Sequence, residues 1–416
     1  MPHADGRRGP GLGPRLVLFL TVFVHLLGFG LLLPILPYYA KTYGAGGLVV
    51  GLLSASFSFF QFLFAPVWGR LSDRVGRRPI LLGSLIVTSA SYLVFGFSHS
   101  LWLLFASRII AGIAGAVLPT AQTYIADTTS PEERTKGMGM IGAALGLGFT
   151  FGPAIGGALS HWGYSVPAFA SAGFALIAAI LAFFLLPESL SPEAREAAAV
   201  KRRERPGLTV AFTDAFARPT VRPVLLLYFI GTLCFAGLEA TFALFGHDRY
   251  GLSAMNVGYL LAYMGVLAVV MQGGLVGRLA RRFGEPRLVR TGFLLLAAGM
   301  LAAGGAPPFS WLLVALAGVA LGNGLASPSL AGLVSIATAA GEQGSVLGVY
   351  QALGSLARTI GPFLGGLAFD TLGPTSPLWI GGTILVFASF LAGSLPRRRD
   401  AAPASVPTVP APVAEP

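Results

Sequence analysis

Four ionisable side chains, His25, Arg108, Glu239 and Arg358, interrupt stretches that are otherwise apolar. A charge held in hydrocarbon is costly unless it is paired or wet, so each is a functional candidate. Glu239 can take up and release a proton, and His25 is the next candidate for that role; a lone histidine on an apolar helix also serves as ordinary packing, and both readings stand. Gln122, Gln272, Asn323 and Gln351 are neutral polar groups in similar stretches and are weaker candidates for a cavity wall. None of the three lysines follows a glycine, which excludes a nucleotide-binding Gly-x4-Gly-Lys loop, and no histidine precedes a glutamate, which excludes the usual zinc-peptidase helix. No nucleophile sits clustered with a base, so the sequence points to no enzyme, metal or cofactor.

Two further groups of residues are defined by spacing. The first is Gly69-Arg70-Leu71-Ser72-Asp73-Arg74-Val75-Gly76-Arg77-Arg78, read as the connection between the second and third apolar stretches. Its bland reading is a tight turn whose arginines fix topology. The second is Gly139, Gly148, Gly152-Pro153 and Gly156-Gly157 in the fifth stretch. Glycines at 148, 152 and 156 make one smooth helix face that lets another backbone come close, and Pro153 adds a bend. Generic close packing explains the glycines by themselves; closure against the opposite half of the molecule is the functional expectation.

The elements that carry these residues follow from composition. Of 416 residues, 54% are hydrophobic and 11% charged, which leaves too little polar surface for a soluble fold. Stretches of about 20 apolar residues span a bilayer, and twelve are read at 16–38, 46–68, 79–97, 101–126, 137–160, 166–186, 223–246, 254–276, 287–305, 309–338, 344–367 and 375–396. The apolar run after the polar leader 1–15 is too long for a signal-peptide core and is read as a retained first span. Cys234, the single cysteine, excludes an intramolecular disulfide.

The net charge of +11 is not one basic face of a nucleic-acid binder: the basic residues alternate between loops, with Lys41 and Arg249 alone in the opposite set. By the positive-inside rule both termini are cytoplasmic. Gly69-Arg70-Leu71 returns as Gly277-Arg278-Leu279, Gly152-Pro153 as Gly361-Pro362, and Tyr43-Gly44 as Tyr250-Gly251, all about half the chain apart. The fold class is therefore all-α, with twelve transmembrane helices in two six-helix halves repeated in parallel. The domains are an N-terminal segment 1–15, a first half 16–187, a charged cytoplasmic linker 188–222 with room for a short surface helix, a second half 223–396, and a disordered tail 397–416.

The pattern Gly69-x-Leu71-x-Asp73-Arg74-x-Gly76-Arg77-Arg78 resembles the signature loop of the major facilitator superfamily. The string from Gly139 to Gly157 resembles the antiporter signature of its drug:proton exchangers, and Gly28-Phe29-Gly30 with Pro34 and Pro37 resembles the first helix of the tetracycline-efflux branch. His25 stands where that branch often carries a carboxylate, so tetracycline itself is not implied. The resemblance implies that Asp73 faces the start of the eleventh helix near Gly344, that an arginine, here Arg77, pairs with Asp127, and that these contacts latch the outward-open state. In the second half Arg281 and Glu285 depart from the pattern. Arg108 matches the family's arginine in the fourth helix.

Glu239 and Arg358 lie roughly 24 and 21 Å into their spans at 1.5 Å per residue. The resemblance makes those spans neighbours, so a buried ion pair is expected, either as a proton-coupling device or as a static strut. The function expected is proton-coupled export of drugs or small amphipathic molecules by a monomer in the cell (inner) membrane, with protons, a small-molecule substrate and the bilayer as partners and no nucleic acid. A symporter or facilitator for sugars or other metabolites, and a non-transporting sensor or scaffold, are the alternatives.

Overall fold

The computed structural model describes residues 12–190, 207–338, 343–393 and 395. Backbone polar groups find no water in hydrocarbon and must be satisfied within helices. Helices without strands are what the described residues form. The first half comprises α1 (Leu12–Leu32), α2 (Ile35–Thr42), α3 (Gly47–Val75), α4 (Arg77–Gly96), α5 (Leu101–Ile113), α6 (Val117–Thr128), α7 (Pro131–Leu159) and α8 (Ser165–Leu185). A linker helix, α9 (Leu208–Ala217), precedes α10 (Arg222–Tyr250), α11 (Ala254–Val270), α12 (Val276–Phe283), α13 (Glu285–Gly304), α14 (Phe309–Ile336), α15 (Gln343–Leu372) and α16 (Ser376–Ala392).

Among the described residues ten helical stretches are long and apolar enough to cross a membrane, counting α5 with α6 and α11 with α12 as continuous spans. α15, of 30 residues, and α16, of 17, occupy the places of the eleventh and twelfth expected spans. Large apolar side chains such as Trp102, Phe184 and Phe387 project outward, as lipid contact requires. Residues 1–11, residues 191–206 of the expected linker and the tail 397–416 lie outside the described residues.

Three local expectations need correction. Residues 69–78 are not a loop: α3 continues to Val75, Gly76 at φ 112° is a one-residue link, and Arg77 opens α4. Charged residues are good helix formers once the chain leaves hydrocarbon, so the helix stops where glycine permits a left-handed backbone, not where the apolar run ends. The second half repeats this, with helix to Phe283 and a turn at Gly284, φ 81°. The fourth span is interrupted at residues 114–116, between α5 and α6. The eighth contains a π turn, Met271–Leu275, between α11 and α12.

The repeat is visible in the backbone. Among the described residues the glycines with positive φ are Gly44 and Gly251, Gly76 and Gly284, Gly163 and Gly373, so each of these glycine turns in one half has its counterpart in the other. Within halves α1 packs on α7 and α10 on α15; across them α3 packs on α15 and α11 on α7. One apolar core, including Leu53, Phe245, Leu252 and Val257, joins both halves at the end away from the basic loops. A second, around Leu18, Leu81, Tyr124 and Ala178, stays within the first half.

Candidate substrate cavity and gates

The glycine string of α7 serves two neighbours. A Cβ on Gly148 would stand 2.7 Å from the Leu26 Cβ, one on Gly152 2.7 Å from the Gly30 Cα, and one on Gly156 would overlap the Leu31 backbone. That face therefore meets α1 of its own half, not the opposite half as expected, because positions four apart form one stripe and α1 fills it. Gly157, one residue further round the helix, is the member that faces the other half, with a Cβ 3.1 Å from Ala254 O and from Gly258 Cα. The copy behaves alike: Gly361 and Gly365 meet α10, while Gly366 meets the Gly47 carbonyl across the halves. Gly139 faces open space.

At the basic end, Arg77 joins three elements. Its Nε donates to Asp127 Oδ2 at 2.8 Å at the end of α6, and its Nη1 to Asp73 Oδ1 at 2.6 Å and Ser72 Oγ at 2.5 Å at the end of α3. Arg77 and Asp73 are both buried. Glu188 adds a contact that the sequence reading missed. Its carboxylate accepts the backbone N–H groups of Arg77 at 2.9 Å and Arg78 at 3.2 Å, at the start of α4 where unpaired donors and the positive dipole end favour an anion. An acid directly after the sixth span was the available signal. Arg78 donates to the Phe183 carbonyl and lies over the Phe183 ring. Arg74 and Leu71 are exposed, and Gly69 lies within α3. Outside the spans, Arg15 donates to Glu133 at 2.5 Å and holds that carboxyl below the usual range.

The opposite end carries the cross-half bonds. Asp370, near the end of α15, accepts Gly47 N–H on Oδ1 at 2.7 Å and Leu48 N–H on Oδ2 at 2.8 Å. It caps α3 from the other half, where the helix's own N-cap, Gly46, has no side chain to do so. Lys41 pairs with Asp248 at 2.6 Å, and Tyr38 donates to the Leu252 carbonyl at 2.7 Å. None of these was singled out from the sequence; the scarcity of charges in that set of loops was the clue.

Between the two ends lies a central cavity with two connecting lobes. The larger, of about 490 Å³, is lined by His25, Gln61, Tyr92, Arg108, Gln122, Glu239, Gln351 and Arg358. The other, of about 360 Å³, is lined by Tyr228, Glu239, Gln272, Asn323 and Arg358. All eight polar candidates thus reach one space, together with Phe29, Phe57 and Phe149, whose rings cluster at 5.4 and 5.8 Å. Gln272 belongs to the π turn, a local widening that often marks function. Glu239 and Arg358 share the cavity, and the Arg358 charge acts on Glu239. They do not reach ion-pair distance: Arg358 Nη2 instead donates to Ser355 Oγ at 3.4 Å. The expected contact pair is absent from this conformation, in which Arg358 turns to a hydroxyl on its own helix. His25 Nδ1 is buried without a hydrogen-bond partner.

A family model described as Major Facilitator Superfamily matches residues 18–358 and 273–415. The chain is 32% identical over 364 residues to "Multidrug resistance protein 2" of Bacillus subtilis (strain 168), covering 85% of this chain and 88% of the relative. It is 31% identical to "Tetracycline resistance protein, class B" of Escherichia coli, over 90% and 92% of the two chains. Among solved structures, that of the human organic anion transporter MFSD10 (TETRAN) is similar at TM-score 0.71 and 28% identity, covering 92% of this chain and 99% of that one.

Proposed function

The chain belongs to the Major Facilitator Superfamily, and from that premise we propose that it is a proton-coupled antiporter that exports small amphipathic molecules across the cell (inner) membrane. It is a multi-pass transporter of a small solute rather than an enzyme; the exchange of proton for solute and the direction are our reading. The observation that carries it is the central cavity, in which Glu239 is the one carboxylate among the described lining residues and shares both lobes with Arg358. Relatives named for multidrug and tetracycline resistance support an exported, amphipathic solute.

With the basic end cytoplasmic, Asp370, Lys41 and Tyr38 form the outer gate, closed here, and solute enters from the cytoplasm. Rocking of the halves breaks these bonds and closes the basic end. There Asp73, positioned by Arg77 and Asp127, meets the start of α15 and holds the outward-open state, in a mirror of what Asp370 does for α3. Glu239 takes a proton from outside, releases the hold of Arg358 and carries the proton inward on the return. The halves 16–187 and 223–396 are the rocking bodies, and 188–222 links them. The Gly148–Gly156 face binds α1 to α7 so that they move as one.

Proteoliposomes with an imposed proton gradient test this. Glu239→Gln should abolish proton-driven transport while solute binding persists. Full proton-driven transport by that variant would exclude Glu239 as the carrier and leave His25.

A further inference from the structure

Among the described residues the cavity holds two guanidinium groups against one carboxylate, and one of the two has no counter-charge within 4.0 Å. Arg108, on α5, is 4% exposed and lines the larger lobe. Its guanidinium lies 5.0 Å from the Phe95 ring centroid and 5.7 Å from that of Tyr92, and Nη2 donates to the neutral Ser107 Oγ at 3.2 Å. Its Nε is buried without a hydrogen-bond partner. Among the described residues no carboxylate comes within 4.0 Å of it. Arg358 faces the same lobe from α15 with a hydroxyl as its partner, and Glu239 stands beyond ion-pair distance of both.

A buried cation is normally paired, because desolvation is expensive and aromatic faces offset only part of it. A guanidinium is also the side chain best matched to a planar oxyanion, through two parallel N–H donors. Phe29, Phe57 and Phe149 supply an apolar wall in the same lobe. Resting on the reading of this cavity as the transport site, we propose that the solute is an amphipathic carboxylate. Its oxyanion is held by Arg108 and drawn toward Arg358 as the halves close, and its apolar body lies against the phenylalanines. A permanently cationic solute meets two like charges here and is disfavoured.

The test uses purified protein in a neutral detergent and three naphthalene probes of one size, carrying a carboxylate, an uncharged amide or a quaternary ammonium, with binding measured by calorimetry. The wild-type protein should bind the carboxylate about tenfold more tightly than the amide, the lower end for a charge-assisted bond to a buried group. Arg108→Gln should erase that preference, and Arg108→Lys should restore part of it. Equal binding of carboxylate and amide by the wild type, preference for the ammonium, or a carboxylate preference that survives in Arg108→Gln would each overturn the proposal. The wild-type comparison needs no variant to fold. Because binding in detergent needs no gradient, carboxylate selectivity without proton-driven export would sink the antiport reading alone. Proton-driven export of the ammonium probe but not of the carboxylate by the wild-type protein would sink this one alone.

Discussion

Asp370→Asn is the most direct way to ask whether the closed end is held by a helix terminus. The carboxylate accepts two backbone donors at the first turn of α3, Gly47 at 2.7 Å and Leu48 at 2.8 Å. Asparagine has one acceptor oxygen, so it keeps one bond at most, turns an N–H toward the other donor and loses the attraction to the positive dipole end. Asp370 is exposed, and solvent therefore screens much of the charge. The expected loss is about 1 kcal/mol, near the middle of the range for charges at helix ends, which shifts the balance between closed and open about fivefold. The halves touch tightly beneath it, where a Cβ on Gly51 would overlap the Pro362 carbonyl, so the shift must appear as whole-body opening rather than local fraying. Spin labels at Thr42→Cys and Thr371→Cys, both exposed positions, placed in a Cys234→Ser background, report the separation across this end. The longer-distance population should grow about fivefold in Asp370→Asn. An unchanged distance distribution, or a shift toward the shorter distance, would refute the reasoning.

Removal of the Arg77 side chain takes away the cation shared by Asp73 and Asp127; Arg77→Ala should lower thermal stability in detergent by about 2–4 kcal/mol, somewhat below a fully buried pair because Asp127 is partly solvated. Arg77→Lys should recover little, since one ammonium cannot fork to both carboxylates, and equal melting of the two variants and wild type would count against the cluster. Gly156→Val should destabilise by about 3 kcal/mol or more, as its side chain would meet the Leu31 backbone, whereas Gly139→Val, in open space, should leave the melting temperature unchanged. Tyr38→Phe removes one bond to Leu252 and should open the same end by an amount comparable to Asp370→Asn, about 0.5–1.5 kcal/mol, measured with the same spin labels. A double variant that opens no further than Asp370→Asn would show that Tyr38 does not bear on closure.

Much of the architecture was legible in the chain itself. Hydrocarbon tolerates no unsatisfied backbone, so apolar length alone specified helices and their places, and Gly69-Arg70-Leu71 with its copy at Gly277 revealed a repeat that the paired left-handed glycines also display. Intramembrane charge is rare enough that His25, Arg108, Glu239 and Arg358 stood out before any contact was known, and all four reach one cavity. What the chain alone could not say is which neighbour each face meets. The glycines of α7 were right as a close-packing stripe and wrong in partner, because periodicity gives a face and only the arrangement of helices gives what covers it. The extent of α3 past the membrane was hidden because hydropathy ends where lipid ends, while the backbone ends at Gly76. Asp370 and Glu188 went unseen for the same reason: each acts on backbone N–H groups far away in sequence, and a backbone donor leaves no mark in the residue pattern. The gap between Glu239 and Arg358 is likewise tertiary, since equal depth in two helices sets a height and not a distance.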